Sequence, residues 1–211
     1  MENTLYVIAM EKEAKDISEK LGLIEIQEEK LKDLKIYRRE KTSLLVTGIG
    51  KQFVAINLTR YLENCPKDEL PKQIINIGYV GSTNTQIGTW VNVDKVYNYE
   101  WNIPGEEKYE IKQLENYINK DILKTIENKE IIKLPCYSAE SFVTKTDIRE
   151  DVIFDMELYS IYMVCQMYNI KLVSLKKVSD NLNLDSYYEN LNIKNIMELG
   201  SALEIIDEMY R

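Results

Sequence analysis

The feature that most constrains the fold of this chain is a regular alternation between short apolar runs and longer segments with helical spacing. Residues 5–9 read as a buried strand, and residues 11–21 follow with apolar side chains three and four positions apart. The same order returns with a strand over 43–47, the turn Gly48-Ile49-Gly50 and a helix from about 52 to 64, and then with a strand over 74–77 and the loop Gly78-Tyr79-Val80-Gly81. This rhythm predicts an α/β fold with glycine turns at the carboxyl ends of strands, where such sheets bind ligands.

The remaining segments extend the pattern without a linker or an internal repeat. We predict further strands over 34–38, 90–97, 131–137 and 172–175, a helix over 158–168, an exposed amphipathic helix over 109–129 and a tail helix over 193–210 that covers the sheet. With 211 residues and 45% hydrophobic content, the chain can bury one sizeable core. We therefore expect a single domain over residues 1–211.

Charge and composition exclude several classes of protein. The net charge of −8 argues against a nucleic-acid partner, because affinity for the phosphate backbone comes from basic surface. The amino terminus lacks the basic and long apolar regions of a signal peptide, and no apolar run reaches the roughly 18 residues of a membrane span. We expect a cytoplasmic protein with no membrane partner.

The residue types available for chemistry are also restricted. Cys65, Cys136 and Cys165 are far apart and lack metal-ligand spacing, which favours reduced thiols over a disulfide framework or a zinc site. Histidine is absent, so serine–histidine and cysteine–histidine nucleophiles are excluded. Carboxylates, lysine and tyrosine remain for proton transfer, and we expect no metal and no organic cofactor.

Acidic residues stand at the ends of three predicted elements. Glu11 and Glu13 follow the first strand. Glu157 opens a helix, and Asp180 closes the strand that comes next. Each has an ordinary interpretation, because glutamate is favoured in a first helical turn and aspartate, or the adjacent Ser179, is a common N-cap. One shared pocket explains them together, with one acid holding hydroxyl groups and another donating a proton. The spacing does not choose between Glu11 and Glu13.

The motifs occur in a characteristic order along the chain. They are Ile8-Ala9-Met10-Glu11-Lys12-Glu13, Val46-Thr47-Gly48-Ile49-Gly50-Lys51, Ile75-Asn76-Ile77-Gly78-Tyr79-Val80-Gly81-Ser82, Ser141-Phe142-Val143, Phe154-Asp155-Met156-Glu157 and Val178-Ser179-Asp180. This order resembles the nucleoside phosphorylase family, and most closely its hydrolytic branch, the 5′-methylthioadenosine/S-adenosylhomocysteine nucleosidases. The resemblance implies an α/β fold with a mixed central sheet, partly barrel-like and flanked by helices, in a homodimer that binds a small purine nucleoside.

The resemblance also implies a role for each matching residue. Asp180 matches the aspartate that protonates ring nitrogen 7 of the purine, so that the base leaves more easily. Glu157 matches the glutamate that binds the ribose 2′- and 3′-hydroxyls, and Glu13 matches the acid that orients the attacking water. The residues implied to bind the substrate are Met156 beneath the sugar, Phe142 stacked on the base, Val143 with its backbone at the edge of the base, Ile49 near the 5′ substituent, Ser179 and Gly81 within the matching motifs, and Lys176 and Tyr79 at positions that depart from the family pattern.

Several positions depart from the family pattern. Asp155 stands where the family has a glutamate. Lys176 stands where an arginine is expected, which keeps the charge but loses the bidentate fork. Tyr79 replaces a small serine or threonine, and Ser82 replaces a second glycine. We expect Tyr79 to fill part of the sugar or water site, facing the Lys176 segment across the pocket.

The number and position of the arginines bear on whether water or phosphate is the nucleophile. Phosphorolysis needs a cationic nest for phosphate, and Asn76 stands where many phosphorylases carry a phosphate-binding arginine. The arginines of the chain are Arg38, Arg39, Arg60, Arg149 and Arg211. Water is therefore the expected nucleophile, which predicts a purine nucleoside hydrolase. The alternatives are a purine nucleoside phosphorylase, a catalytically impaired nucleoside-binding protein, or a structural oligomer without a small ligand.

Overall fold

The chain forms a mixed sheet flanked by helices in a computed structural model that describes residues 3–110, 131–190 and 198–209. The strands among these residues are β1 (Thr4–Ile8), β2 (Ile24–Ile26), β3 (Lys35–Arg39), β4 (Thr42–Val46), β5 (Gln73–Ser82), β6 (Trp90–Asn98), β7 (Ile131–Ser138), β8 (Ile153–Asp155) and β9 (Lys171–Asp180). The helices are α1 (Glu11–Leu21), α2 (Lys51–Asn64), α3 (Leu158–Tyr168), α4 (Leu184–Asn190) and α5 (Ala202–Met209). The predicted alternation of strands and helices is confirmed.

Part of the sheet closes on itself. Strand β5 pairs with β9 in parallel, β9 pairs with β6 in antiparallel, and β6, β7 and β8 follow in parallel. Strand β8 then returns to the end of β5 in antiparallel, which completes a five-stranded ring. From the start of β5 the sheet continues as an open wing in the order β1, β4, β3, β2. The expected mixed, partly barrel-like sheet is confirmed.

Strand β5 is longer than its apolar run. The prediction that residues 78–81 form a loop is wrong, because β5 continues to Ser82. Its partner β9 matches it from Gln73 to Val80 and runs on past its own apolar run to Asp180. Hydrogen bonds from neighbouring strands hold the glycine-containing segment extended. The register shifts only between Val80 and Gly81.

Two apolar layers cover the two faces of the sheet. On one face, Leu58 of α2 and Tyr162 of α3 pack in a layer with Ile74 and Val80. On the other face, Ile17 of α1 packs in a layer with the intervening β5 residues and with α5. Full burial of one leucine or isoleucine contributes about 1.5–3 kcal/mol, so these layers fix β1, β5 and β9 as a rigid base.

Two predicted helices need revision. The tail helix over 193–210 is wrong in its extent, because Glu198 to Ser201 form a turn and α5 begins at Ala202. The physical reason is at Gly200, whose N–H donates to Asp16 Oδ2 at 2.5 Å and so is not available to a helix. The helix predicted over 109–129 falls largely on residues 111–130, outside the described residues. Among the helices that the structure describes, none has both the length and the apolar character that a membrane crossing requires.

Candidate functional site

A cavity of about 410 Å³ opens beside the ends of β1, β5 and β9. The predicted site residues that line it are Glu13, Ile49, Tyr79, Gly81, Phe142, Met156, Glu157, Ser179 and Asp180. Val143 lines a small adjoining cavity with Phe142 and Met156. Lys176 does not reach the wall of either cavity. The structure therefore brings together the three acids that the sequence motifs singled out.

The residues around Gly81 explain how distant motifs meet. Gly81 lies opposite Phe154 of β8 on one side and opposite Asp180 of β9 on the other. Strand β8 is parallel to β7 but meets the end of β5 in antiparallel, so Glu157, which follows β8, does not reach Gly81 along the parallel β5–β9 pair. Barrel closure brings it there instead. A Cβ at Gly81 would lie 3.0 Å from Asp180 Oδ1, so glycine leaves the room that this carboxyl group occupies.

Asp180 is fully buried, and its surroundings favour a proton on it. Burial raises its pKa, although hydrogen bonds from Ser179 and from the backbone oppose the rise. Ser179 Oγ lies 2.8 Å from Asp180 Oδ2 and 3.0 Å from the carbonyl oxygen of Val80. A hydroxyl has one hydrogen, and the carbonyl can only accept. Ser179 shares its hydrogen between these two oxygens and so holds the carboxyl group of Asp180 in place at the cavity wall.

Glu13 is the acid of the first motif that turns inward. Its Oε2 accepts from the N–H of Met10 at 3.0 Å, and its Oε1 accepts from the N–H of Tyr79 at 3.3 Å. Burial raises the pKa of Glu13 to about 7, against the opposing effect of Lys176 and these hydrogen bonds. Glu11 instead forms an exposed ion pair with Lys35. Of the two acids that sequence spacing left open, Glu13 is the one that lines the cavity.

Glu157 stands between the start of α2 and the start of α3. Its Oε1 accepts from the N–H of Gly50 at 2.9 Å, and its Oε2 accepts from the N–H of Met156 at 3.3 Å. Burial and the negative charge of Asp155 raise the pKa of Glu157 to about 7, and Lys176 works against them. Two carboxyl groups of one cavity thus titrate near neutral pH.

The two departures Asp155 and Lys176 are partners of each other. Lys176 Nζ lies 2.8 Å from Asp155 Oδ2, and both side chains are almost completely buried. Burial alone would lower the pKa of Lys176, but Asp155, Cys136 and Glu157 outweigh it and raise the pKa. Asp155 reaches the cavity wall, whereas Lys176 lies behind it. The expected glutamate and arginine are therefore replaced together by a shorter acid and a shorter base.

Tyr79 lies on the side of the cavity next to α1. Neighbouring residues of a strand point to opposite faces, and the Cβ position of Gly78 faces Lys176 Nζ at 3.7 Å. The ring of Tyr79 packs with the opposite layer, beneath α1. The expectation that Tyr79 faces the Lys176 segment is therefore wrong, because strand alternation turns it away.

Helix α4 supplies a wall that the sequence motifs did not reveal. Leu184, Tyr187 and Tyr188 line the cavity, and the ring of Tyr187 lies 5.6 Å from that of Phe142. Burial raises the pKa of Tyr187 to about 12, so its phenol stays neutral at ordinary pH. The available signal was their spacing of three and four residues, typical of one helix face. It is obscured by the polar residues around it.

Positive charge is scarce around the cavity. None of the arginines in the described part of the chain lines it. Arg38 pairs with Glu28, and Arg60 pairs with Asp33. Asn76 bonds within the sheet, donating to the carbonyl of Val7. Within the same described ranges, no cluster of acidic or cysteine side chains could hold a metal ion.

Solved structures with the same fold cover the whole chain. A 5′-methylthioadenosine nucleosidase mutant from Helicobacter pylori, with 5′-methylthioadenosine in its active site, has a TM-score of 0.82 at 13% identity and covers 100% of this chain and 98% of its own. A 5′-methylthioadenosine/S-adenosylhomocysteine nucleosidase from Borrelia burgdorferi bound to adenine has a TM-score of 0.82 at 20% identity, covering 99% of each chain. A futalosine hydrolase mutant from Helicobacter pylori has a TM-score of 0.80 at 13% identity, covering 100% and 99%.

Sequence comparison places the chain at the level of a superfamily. A comparison with curated proteins finds no match. The family model described as the phosphorylase superfamily matches residues 4–201, nearly the whole chain. Its span includes every candidate site residue described above. With this match and the fold that the solved structures share, the chain belongs to the phosphorylase superfamily.

Proposed function

We propose that this protein is a purine nucleoside hydrolase that cleaves the N-glycosidic bond of a nucleoside such as 5′-methylthioadenosine or S-adenosylhomocysteine. The observation that carries the proposal is the full burial of Asp180 at the cavity wall, which raises its pKa, with Ser179 holding its carboxyl group in place. A carboxylic acid whose pKa is raised by burial keeps its proton to higher pH and can then protonate a leaving group. The nucleosidases and the futalosine hydrolase of similar fold support the same class of reaction.

The reaction divides among the three acids. Asp180 gives its proton to ring nitrogen 7 of the purine as the bond between C1′ and N9 breaks. Glu157 holds the 2′- and 3′-hydroxyls and stabilises the positive charge that develops on the sugar. Glu13 orients a water molecule, accepts a proton from it, and the water oxygen bonds to C1′. The products are free purine and free sugar.

We propose the space over Gly78 for the attacking water. A Cβ atom added to Gly78 would lie 3.4 Å from Glu13 Oε1 and 3.7 Å from Lys176 Nζ. A water in that space has an acceptor on one side and a cation on the other. In this scheme Lys176 acts through the water and through Asp155 rather than by direct contact with the sugar.

The remaining cavity residues suit the parts of a nucleoside. Phe142 and Tyr187 offer aromatic faces for the base, and Val143 lies in the adjoining cavity where its backbone can meet the edge of the base. Met156 lies beside Glu157 on the sugar side, and half-exposed Ile49 borders the outer end. That outer end is where we propose the 5′ substituent.

Water is preferred over phosphate because the cavity lacks a cationic nest. A phosphate needs several donors and positive charge. Lys176 is already paired with Asp155, and the described arginines lie elsewhere. A purine nucleoside phosphorylase and a catalytically impaired nucleoside-binding protein remain the competing functions.

Replacing Asp180 with asparagine separates an enzyme from a binding protein. The variant Asp180→Asn keeps the shape but has no acidic proton, so we expect purine release from 5′-methylthioadenosine to fall by about a hundredfold or more. Binding, measured by calorimetry, should remain. The exposed Asp185→Asn on α4 serves as a matched control and should keep its activity. If the wild-type protein binds the nucleoside and never releases purine, it is a binding protein.

We also propose a homodimer through the outer face of α2. Ile49, Phe53 and Ile56 are 49%, 64% and 58% exposed and follow one another at spacings of four and three residues. Exposed apolar side chains grouped in this way mark association surfaces. The stripe is continuous with the cavity through Ile49, so a second copy seated on it would border the site.

A further inference from the structure

The start of helix α3 is capped by residues from outside the helix. Its N-cap position is held by Glu157, and an N-cap side chain normally accepts a hydrogen bond from an N–H of the first turn. The carboxylate of Glu157 makes no such bond. Asp155 Oδ2 accepts from the N–H of Leu158 at 3.0 Å. Ser138 Oγ accepts from the N–H of Tyr159 at 2.9 Å.

Because Asp155 and Ser138 accept from these N–H groups, the carboxylate of Glu157 is free of helix capping and faces the cavity. Its Oε1 is held by the N–H of Gly50 at 2.9 Å instead. If the hydroxyl of Ser138 were absent, the buried N–H of Tyr159 would lose its hydrogen-bond partner, which is unfavourable for a buried donor. The carboxylate of Glu157 is the acceptor that ordinary N-cap geometry would supply in its place.

Ser138 is itself fixed from several directions. It is fully buried, and its hydroxyl donates to Asp155 Oδ1 at 2.5 Å while it accepts from Tyr159. Its carbonyl oxygen lies 3.4 Å from Nζ of Lys51, the first residue of α2. Lys51 follows Gly50 directly. This contact therefore joins Ser138 to the segment whose N–H binds Glu157.

We infer that Ser138 is a positioning residue, which relieves Glu157 of helix capping and thereby directs its carboxylate to the sugar hydroxyls of the substrate. The identity of what Glu157 binds rests on the proposed function, whereas the exchange of caps rests on geometry alone. Ser138 escaped the sequence-based prediction because it closes an ordinary strand and its partner N–H is distant in sequence.

A crystal structure of Ser138→Ala tests the geometric part. We expect the carboxylate of Glu157 to turn toward the N–H of Tyr159 and to leave the N–H of Gly50. A carboxylate that stays on Gly50 in the variant would overturn the inference. This readout needs no turnover, so it stands or falls separately from the proposed function.

Sugar discrimination tests the functional part. The ratio of kcat/KM for 5′-methylthioadenosine to that for its 2′-deoxy analogue should fall about tenfold in Ser138→Ala, the equivalent of one hydrogen bond to a charged group. A merely structural role would lower both rates by the same factor and leave the ratio unchanged.

Two further variants keep the kinetic test decisive. Ser138→Cys has nearly the same size but makes weak hydrogen bonds, so it should lower the ratio in the same direction and replaces the alanine variant if that does not fold. Ser174→Ala removes another buried strand serine, bonded to Asn76, and should keep the wild-type ratio. An unchanged ratio in the Ser138 variants contradicts the inference. A wild-type protein that releases no purine would refute the proposed function instead, and the crystal structure would still decide the role of Ser138.

Discussion

At the scale of single residues, Glu11 and Glu13 of the first motif differ in their exposure to solvent. Glu11 lies in solvent beside Lys35, whereas Glu13 is enclosed between α1 and β5. Burial without a direct cationic partner holds the proton on Glu13 up to about pH 7. The ionised form of Glu13 therefore lowers the stability of the folded protein. Unfolding measured as a function of pH reports this loss.

Replacing Glu13 with glutamine should remove a pH-dependent loss of stability. The pKa of Glu13 is raised from 4.5 to about 7 in the folded protein, so the unfolded chain loses this proton first as the pH rises. Wild-type stability should fall by about 3 kcal/mol between pH 4.5 and 7 from this group alone. Relative to wild type, Glu13→Gln should gain that amount in urea unfolding at pH 8 compared with pH 5. Glu11→Gln serves as the exposed control, and an equal pH response in both variants would contradict the account.

The same titrations should shape the activity. Glu13 and Glu157 act as carboxylates in the proposed reaction, and both have a pKa of about 7. We expect kcat/KM for 5′-methylthioadenosine to rise with pH through about 7 as these two glutamates lose their protons. The measurement is a profile from pH 5 to 9. A rate that is already maximal at pH 5 would show that neither glutamate must ionise.

At the scale of elements, the Asp155–Lys176 pair joins the end of β8 to the middle of β9. The family pattern predicted that these two positions mattered, but not that each change compensates the other. That pairing depends on barrel closure, which places the consecutive strands β8 and β9 on either side of β5. Breaking one side leaves the other charge buried and alone.

A double-mutant cycle should show this coupling. Lys176→Met should lower the free energy of unfolding by about 3–5 kcal/mol, because the buried carboxylate of Asp155 loses its cation. Adding Asp155→Asn should recover much of that loss. Lys15→Met, which breaks an exposed pair with Glu19, is the control and should cost less than about 1 kcal/mol. Additive effects of the two buried substitutions in urea unfolding would disprove the coupling.

Some elements could be predicted from the sequence and others could not. The helices over 11–21 and 158–168 were predicted to the residue, because local apolar spacing determines them. The acids Glu13, Glu157 and Asp180 were identified from family motifs. The extension of β5 through Gly81 was missed, since pairing on both sides outweighs the local preference of glycine for a turn. The wall made by α4 was missed because no motif marks it.

At the scale of the whole molecule, the site forms around one nine-stranded sheet, and α1 and α4 contribute side chains to it. The open wing supplies Glu13, and the closed ring supplies Glu157 and Asp180 around Gly81. The outer stripe of α2 adds an apolar surface beside the cavity entrance. Site and surface therefore meet at Ile49, just before α2, which links the proposed assembly to the proposed chemistry.

Placing a charge on the α2 stripe should separate the copies. Phe53 is 64% exposed in the single chain, so Phe53→Glu should not disturb the core but should disfavour an apolar interface. We expect wild type to sediment as a dimer and the variant as a monomer in analytical ultracentrifugation. Ile24→Glu, equally exposed on β2, is the control and should leave the mass unchanged. A wild-type monomer would refute the dimer.

The most direct test of the whole account is release of free purine in the absence of phosphate. We expect the purified protein to convert 5′-methylthioadenosine, or another purine nucleoside of a small panel, to free base and free sugar in phosphate-free buffer. Added phosphate should not raise the rate. Cleavage that appears only with phosphate and yields a sugar phosphate would contradict it, because the nucleophile would then be phosphate rather than a water held by Glu13.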